Sequence, residues 1–202
     1  MGIPVLILGE SGSGKTYSIK NFDVDEVGIF SVEKNRLPFR KQFKVVKNAG
    51  YPIIMKALSA PTLKRYVVDD SQYLLVNEFF DRAKETGYQK FTDLALNFRN
   101  LIHYVYREMP DDVIVYLVMH EETSDYGETK LKTIGKLLDQ KVCVEGMVTV
   151  CLRAMKEGTD RYCFRTQSDG SDISKSPEGM FELKIDNDLK AVDAKIREYW
   201  GM

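Results

Sequence analysis

The run IPVLILGESGSGKT at residues 3–16 constrains this chain more than any other stretch. An apolar run, Ile3 to Leu8, leads into Gly9-Glu10-Ser11-Gly12-Ser13-Gly14-Lys15-Thr16. That octet meets G-x-x-x-x-G-K-[ST] at every fixed position, in the required setting of strand, glycine loop and helix. Glycines allow the backbone to curl until successive N–H groups converge on a phosphate. The helix start that follows adds partial positive charge. Lys15 is placed to reach the β- and γ-phosphates, and the Thr16 hydroxyl supplies an oxygen ligand for Mg²⁺. The candidate nucleotide contacts are Gly9, Glu10, Ser11, Gly12, Ser13, Gly14, Lys15, Thr16 and Tyr17.

At 202 residues the chain is expected to form one domain, 1–202, large enough for its own core. No apolar run approaches the ~20 residues a membrane helix needs, and the N-terminus lacks the basic start and cleavage site of a signal peptide. Cys143, Cys151 and Cys163 lie in apolar stretches without metal-ligand spacing, so they read as buried reduced thiols of a cytoplasmic protein. A net charge of −1 argues against a globally basic nucleic-acid binder. One local patch stands out: Lys34, Arg36, Arg40, Lys41, Lys44 and Lys47 follow one another without an acidic residue between them. Such a run is either a solvated loop or a phosphate-contacting surface.

Apolar patterning predicts a short helix after Thr16, to about Phe22, and a buried strand over Val27 to Val32. Val45-Val46 and Pro52 to Leu58 fit a short strand or a helical turn. Arg65 to Asp70 reads as a strand ending in acids, with Ser71 as N-cap of a helix from Gln72 to about Glu85. Phe91, Leu94, Ala95, Phe98, Leu101, Ile102 and Val105 recur at helical spacing up to Met109-Pro110. His103 falls on the polar face of that helix. Val113 to Met119 is the strongest strand pattern, and one helical stretch is expected near Ile134 to Leu138. Met147 to Leu152 and Tyr162 to Thr166 suggest an antiparallel hairpin, 167–180 a loop, and Leu189, Val192, Ile196 and Tyr199 a terminal helix. Strands alternating with amphipathic helices predict an α/β fold: a mostly parallel sheet covered on both faces, with a C-terminal antiparallel hairpin. Ligands of such sheets bind at the carboxyl ends of the strands. Four polar clusters fall there: the glycine loop, Glu33, Asp69-Asp70 and His120-Glu121-Glu122.

Nucleotide hydrolysis needs a phosphate cradle, a metal, a water-orienting group and cationic charge for the transition state. Tyr66-Val67-Val68-Asp69-Asp70 offers the metal-side acid as Asp69 or Asp70, since the apolar run sets the register only to within one residue. Glu33, just past a strand, is the candidate for orienting water. His120 is the candidate for sensing the γ-phosphate and passing its presence to residues 121–141.

With these clusters in order, the chain resembles the RecA-like branch of P-loop ATPases, and within it the short bacteriophage ATPases of DNA recombination and single-strand annealing. The resemblance is carried by GESGSGKT at 9–16, SVEKNRLPF at 31–39, YVVDDSQYL at 66–74 and VIVYLVMHEE at 113–122. KLKTIGKLLDQK at 130–141 and SDISKSPEGMF at 171–181 add to it. It implies a three-layer P-loop NTPase fold, ATP and Mg²⁺ as cofactors, and catalytic roles for Lys15, Glu33, Asp70 and His120. By position Thr16 and Asp69 or Asp70 hold the metal, Glu33 matches the family's catalytic glutamate, and His120 stands where a glutamine is common. The family contacts single-stranded DNA through the loop after that strand, here about residues 123–141 with Lys130, Lys132, Lys136, Lys141 and Tyr126. It also implies a homo-oligomer whose neighbouring subunit supplies a cation, with Arg153, Arg165 and Lys175 as candidates. Two other functions fit the same loop: a small-molecule kinase and a nucleotide-switched interaction module.

Overall fold

The structure, a computed structural model, describes residues 1–124, 127–132, 134 and 143–202. The first strand, β1 (Ile3–Gly9), is buried along almost its whole length and lies inside the sheet. β2 (Gly28–Ser31), β3 (Val45–Lys47), β4 (Arg65–Asp69), β5 (Ile114–Thr123) and β7 (Val150–Glu157) share its direction. β6 (Thr129–Leu131) pairs antiparallel with the end of β5. β8 (Arg161–Arg165) and β9 (Lys184–Asp186) add an antiparallel edge. The order across the sheet is β3-β2-β4-β5-β1-β7-β8-β9. The fold is thus mixed α/β with a mostly parallel sheet and a C-terminal antiparallel hairpin, β7–β8.

Alternate residues of β1 feed two cores. Leu6 and Leu8 join the cluster under helices α1 (Tyr51–Ser59), α2 (Tyr73–Asp81) and α3 (Gln89–Glu108). Val5 and Ile7 join the cluster under the 3-10 turn Thr16–Asn21 and helix α4 (Leu189–Trp200). This two-residue alternation on a strand buried on both faces is why helices cover the sheet from either side. On α3, Leu94, Phe98, Leu101, Ile102 and Val105 are fully buried, each worth about 1.5–3 kcal/mol by leaving water. Asp188 caps α4, its carboxylate accepting from the N–H groups of Lys190 and Ala191. Asp193 of α4, buried, accepts from Arg65, Arg197 and the Tyr116 hydroxyl, tying that helix to β4 and β5.

Several local expectations need correction. Ser71 is not a helix cap: its N–H and hydroxyl both donate to the Val118 carbonyl, fastening β4 to β5, and α2 starts at Tyr73. That helix stops at Asp81, short of Glu85. His120 does not end its strand, because residues 121–123 continue β5 by pairing with β6. Pro52 to Leu58 is helical, with Pro52 in the first turn, where its missing N–H costs nothing. Cys143 is exposed, whereas Cys151 and Cys163 are buried, and all three are free thiols. Among the described residues no helix is long and apolar enough to cross a membrane. Apart from Ile134, the helical stretch expected to Leu138 lies outside the described residues, as do Tyr126, Lys136 and Lys141.

Candidate functional site

The parallel register brings the strand ends together. Gly9 at the end of β1 lies opposite His120 of β5, and Val68 of β4 lies opposite Leu117 of the same strand. β5 therefore stands between the glycine loop and the Asp69-Asp70 pair. A cavity of about 610 Å³ opens over these ends, with Lys15, Thr16, Asp69, Asp70 and His120 in its wall. Gly12 and Gly14 take φ of 80° and 95°, a region that favours glycine. A Cβ on Gly14 would sit 2.7 Å from the Tyr162 ring, so the tyrosine, the glycine and Tyr17 (ring centroids 5.5 Å apart) form one packed wall. The Ser13 hydroxyl is buried in the loop and has no partner among the described residues.

Lys15 is 6% exposed and folds back over its own loop, donating to the carbonyls of Gly9 and Glu10, both at 2.8 Å. Burial pushes its pKa below the ordinary lysine value, and the charges of Asp70, Asp69, Glu121 and Glu10 only partly oppose that. Its ammonium also lies 3.4 Å from His120 Nδ1. The other ring nitrogen, Nε2, lies 3.5 Å from Asp70 Oδ1. The imidazole thus bridges Lys15 to Asp70.

The two aspartates have different surroundings. Asp69 accepts from the Thr16 hydroxyl at 2.9 and 3.1 Å and is 3% exposed. Burial, reinforced by the neighbouring Asp70 charge, pushes its pKa up to about 6. Asp70 sits in the left-handed region at φ 59°, a strain of order 1–3 kcal/mol. Its second oxygen accepts from Asn35 at 3.1 Å. Burial works to raise the Asp70 pKa, but the bonds from His120 and Asn35 outweigh it and hold the carboxyl below its usual range.

The raised Asp69 value has a consequence for stability. A carboxyl whose folded pKa exceeds its unfolded value of 3.8 destabilises the ligand-free fold progressively as pH rises from about 4, in full above about 6, and not at all well below 4. A shift of roughly two units corresponds to about 3 kcal/mol. Urea unfolding should therefore find Asp69→Asn more stable than the wild type by up to about 3 kcal/mol at pH 8, with the gap closing as pH falls toward 4. An equal gap at both pH values would contradict the assignment of a buried, charged Asp69.

Thr16 and Asp69 are hard oxygen donors of the kind Mg²⁺ takes beside substrate phosphates and water. Among the described residues no group of three or more His, Cys, Asp or Glu side chains is arranged to hold a metal alone. Glu33 stands apart from the gathered five: it is half-buried, accepts from Asn77 of α2 at 3.1 Å, and is absent from the cavity wall.

The cations considered for a neighbouring site are mostly engaged within the chain. Arg153 donates to Glu121 at 2.7 and 2.9 Å, and both it and Arg165 contact the buried Asp172. Lys175 bridges its backbone to Cys151 and is half-buried. Sequence reading missed Asn35 and Gln72. The first holds Asp70; the second accepts the His120 backbone N–H at 3.3 Å and keeps a buried amide nitrogen that has no partner among the described residues. A polar residue at a helix start carries no pattern that marks such a role. No protein-family model matches the chain, and no curated protein is recognisably similar to it.

Proposed function

We propose that this chain is a RecA-like P-loop ATPase that binds Mg-ATP over residues 9–17 and hydrolyses it, acting as an oligomer on single-stranded DNA in phage-type recombination or strand annealing. One observation carries the ATPase part: Lys15, Thr16-Asp69 and Asp70-His120 meet around one cavity at the carboxyl ends of β1 and β4, beside His120 within β5. The DNA part rests on the resemblance.

On this reading Lys15 exchanges the carbonyls of Gly9 and Glu10 for phosphate oxygens, which accept more strongly because they are charged. Thr16 and Asp69 would hold Mg²⁺, and Asp69 is taken as the metal-side acid because it, and not Asp70, meets the Thr16 hydroxyl. When bound, Mg²⁺ neutralises charge on the β- and γ-phosphate oxygens. The water-orienting carboxylate is Glu33. Asp70 has both oxygens engaged, by His120 and Asn35, and is held a weak base. Glu33 is half-buried, and one of its oxygens receives Asn77. Catalytic hydrogen bonds tighten on substrate binding, so Glu33 leaves Asn77 when nucleotide is present. His120 touches both Lys15 and Asp70 and continues directly into Glu121–Thr123 and β6, which links phosphate occupancy to the loop beyond.

The test is phosphate release from ATP with and without an oligothymidylate, across protein concentrations at low salt. Expected are Mg²⁺-dependent turnover, stimulation by the DNA, and a rate per chain that rises with concentration as a site completed by a neighbour requires. Turnover indifferent to DNA would remove the recombination role. Transfer of the phosphoryl group to a nucleoside rather than water would establish the kinase instead.

A further inference from the structure

Residues 34–47 run from the end of β2 into the edge strand β3 and border the nucleotide cavity. Lys34, Arg36, Arg40, Lys41, Lys44 and Lys47 are all exposed, with no acid among them. Cations elsewhere are put to structural use: Arg82 meets Glu78, Glu85 and Asp93, and Arg197 meets Asp193. In the 34–47 segment only Lys41, on the Phe22 carbonyl, and Lys44, with Asp25, have such partners among the described residues. Lys34, Arg36, Arg40 and Lys47 hold their charge in solvent, and the fold does not need it.

A second cavity of about 420 Å³ lies along this segment, walled by Arg36, Phe39, Arg40, Phe43 and Lys47 among others. Phe39 and Phe43 are half-buried, edge to face at 5.8 Å, and Phe39 also lies 6.5 Å from Tyr17 of the nucleotide cavity. Asn35, Arg36 and Leu37 belong to both cavities. A groove with spaced cations and with Phe39 and Phe43 in its wall, both rings also packed against the core and Lys41 lying 5.5 Å over the Phe43 ring, matches a polyanion with exposed planar groups. Duplex DNA offers the charge but hides its base faces in the stack.

We propose that residues 34–47 form a single-stranded DNA surface contiguous with the nucleotide cavity, separate from the loop at 123–141. The cations take phosphates, and Phe39 and Phe43 receive bases. Asn35 connects the two sites, since it borders the groove and bonds Asp70; DNA in the groove and nucleotide in the cavity then influence each other's affinity reciprocally. This inference shares the DNA ligand of the proposed function but assigns it to different residues.

Fluorescence anisotropy of a labelled oligothymidylate, titrated over a salt series, tests it. The comparison is between the wild type, the Lys34→Ala/Arg40→Ala/Lys47→Ala variant and the Lys130→Ala/Lys132→Ala variant, with melting curves as the folding control. Each phosphate contact on a single strand contributes about 0.7 to the slope of log K against log salt. The triple variant should therefore lose about 2 from that slope and bind on the order of 10²-fold more weakly near 0.1 M salt. An unchanged slope in the triple variant, with binding lost in the Lys130/Lys132 variant, would overturn the inference and leave the proposed function intact. Absence of DNA binding by the wild type would overturn both this inference and the recombination role, leaving ATP hydrolysis to stand separately. Equal competition by duplex of the same length would overturn the single-strand assignment.

Discussion

Glu33→Gln is expected to leave ATP binding intact while cutting hydrolysis by ~10²-fold or more, the usual cost of losing a positioned general base. Asp70→Asn should cost less, about 10-fold, because Asp70 acts through what it holds. Its carboxylate receives His120 and Asn35, and an asparagine oxygen can keep accepting from one of them. A group held below the ordinary carboxylate pKa range is poorly suited to taking a proton from water near neutral pH. Among the described residues the Glu33 carboxylate has one hydrogen-bond donor, Asn77. Single-turnover rates with both variants, alongside equilibrium ATP binding, separate the two carboxylates. If Asp70→Asn fell by ~10²-fold and Glu33→Gln stayed near wild type, the base would be Asp70 and the strand end after β2 would be structural.

Lys15→Ala should reduce hydrolysis further, on the order of 10³-fold, and weaken ATP as well. The lysine is buried in the loop, where its charge is disfavoured by desolvation and only partly compensated by the surrounding acids. A phosphate entering the loop would supply the missing compensation, so the ammonium interacts more strongly there than a surface lysine. Removing it from the ligand-free protein removes a desolvated charge, so the variant should fold; circular dichroism and a melting curve check that. Wild-type turnover by a folded Lys15→Ala protein would place ATP chemistry elsewhere in the chain.

How far the sequence carried these assignments differs from element to element. The glycine loop was legible because its pattern answers a backbone requirement: Gly12 and Gly14 have positive φ, and Gly14 leaves no room for a Cβ against Tyr162. β1, β2, β4, β5, the β7–β8 hairpin and α3 were legible from apolar spacing, since burial on both faces or on one stripe writes itself into the residue order, whereas β3 stayed open between strand and helical turn and β6 carried no such signal. Asp69 and Asp70 could not be ordered from the run before them. Their difference arises where Asp70 turns into the left-handed region, which leaves Asp69 facing Thr16 and Asp70 facing His120. The extension of β5 through His120 depends on pairing with β6, a partner fixed only in three dimensions. β9, a three-residue edge strand with no buried residue, has no apolar signal. Ser71 had the chemistry of a cap, but the Val118 carbonyl claimed its hydroxyl first.

The proposed ATPase depends on the loop at 9–16 cradling nucleotide phosphates, with Thr16 and Asp69 as the residues that would hold Mg²⁺. Calorimetric titration of ATP into the wild type, with and without Mg²⁺, and into Lys15→Ala and Asp69→Ala, tests it most directly. The account predicts Mg²⁺-enhanced binding by the wild type, loss of that enhancement in Asp69→Ala, and affinity reduced at least ~10-fold in Lys15→Ala. Equal affinity in all three proteins, or no heat of binding to the wild type at millimolar ATP, would contradict it.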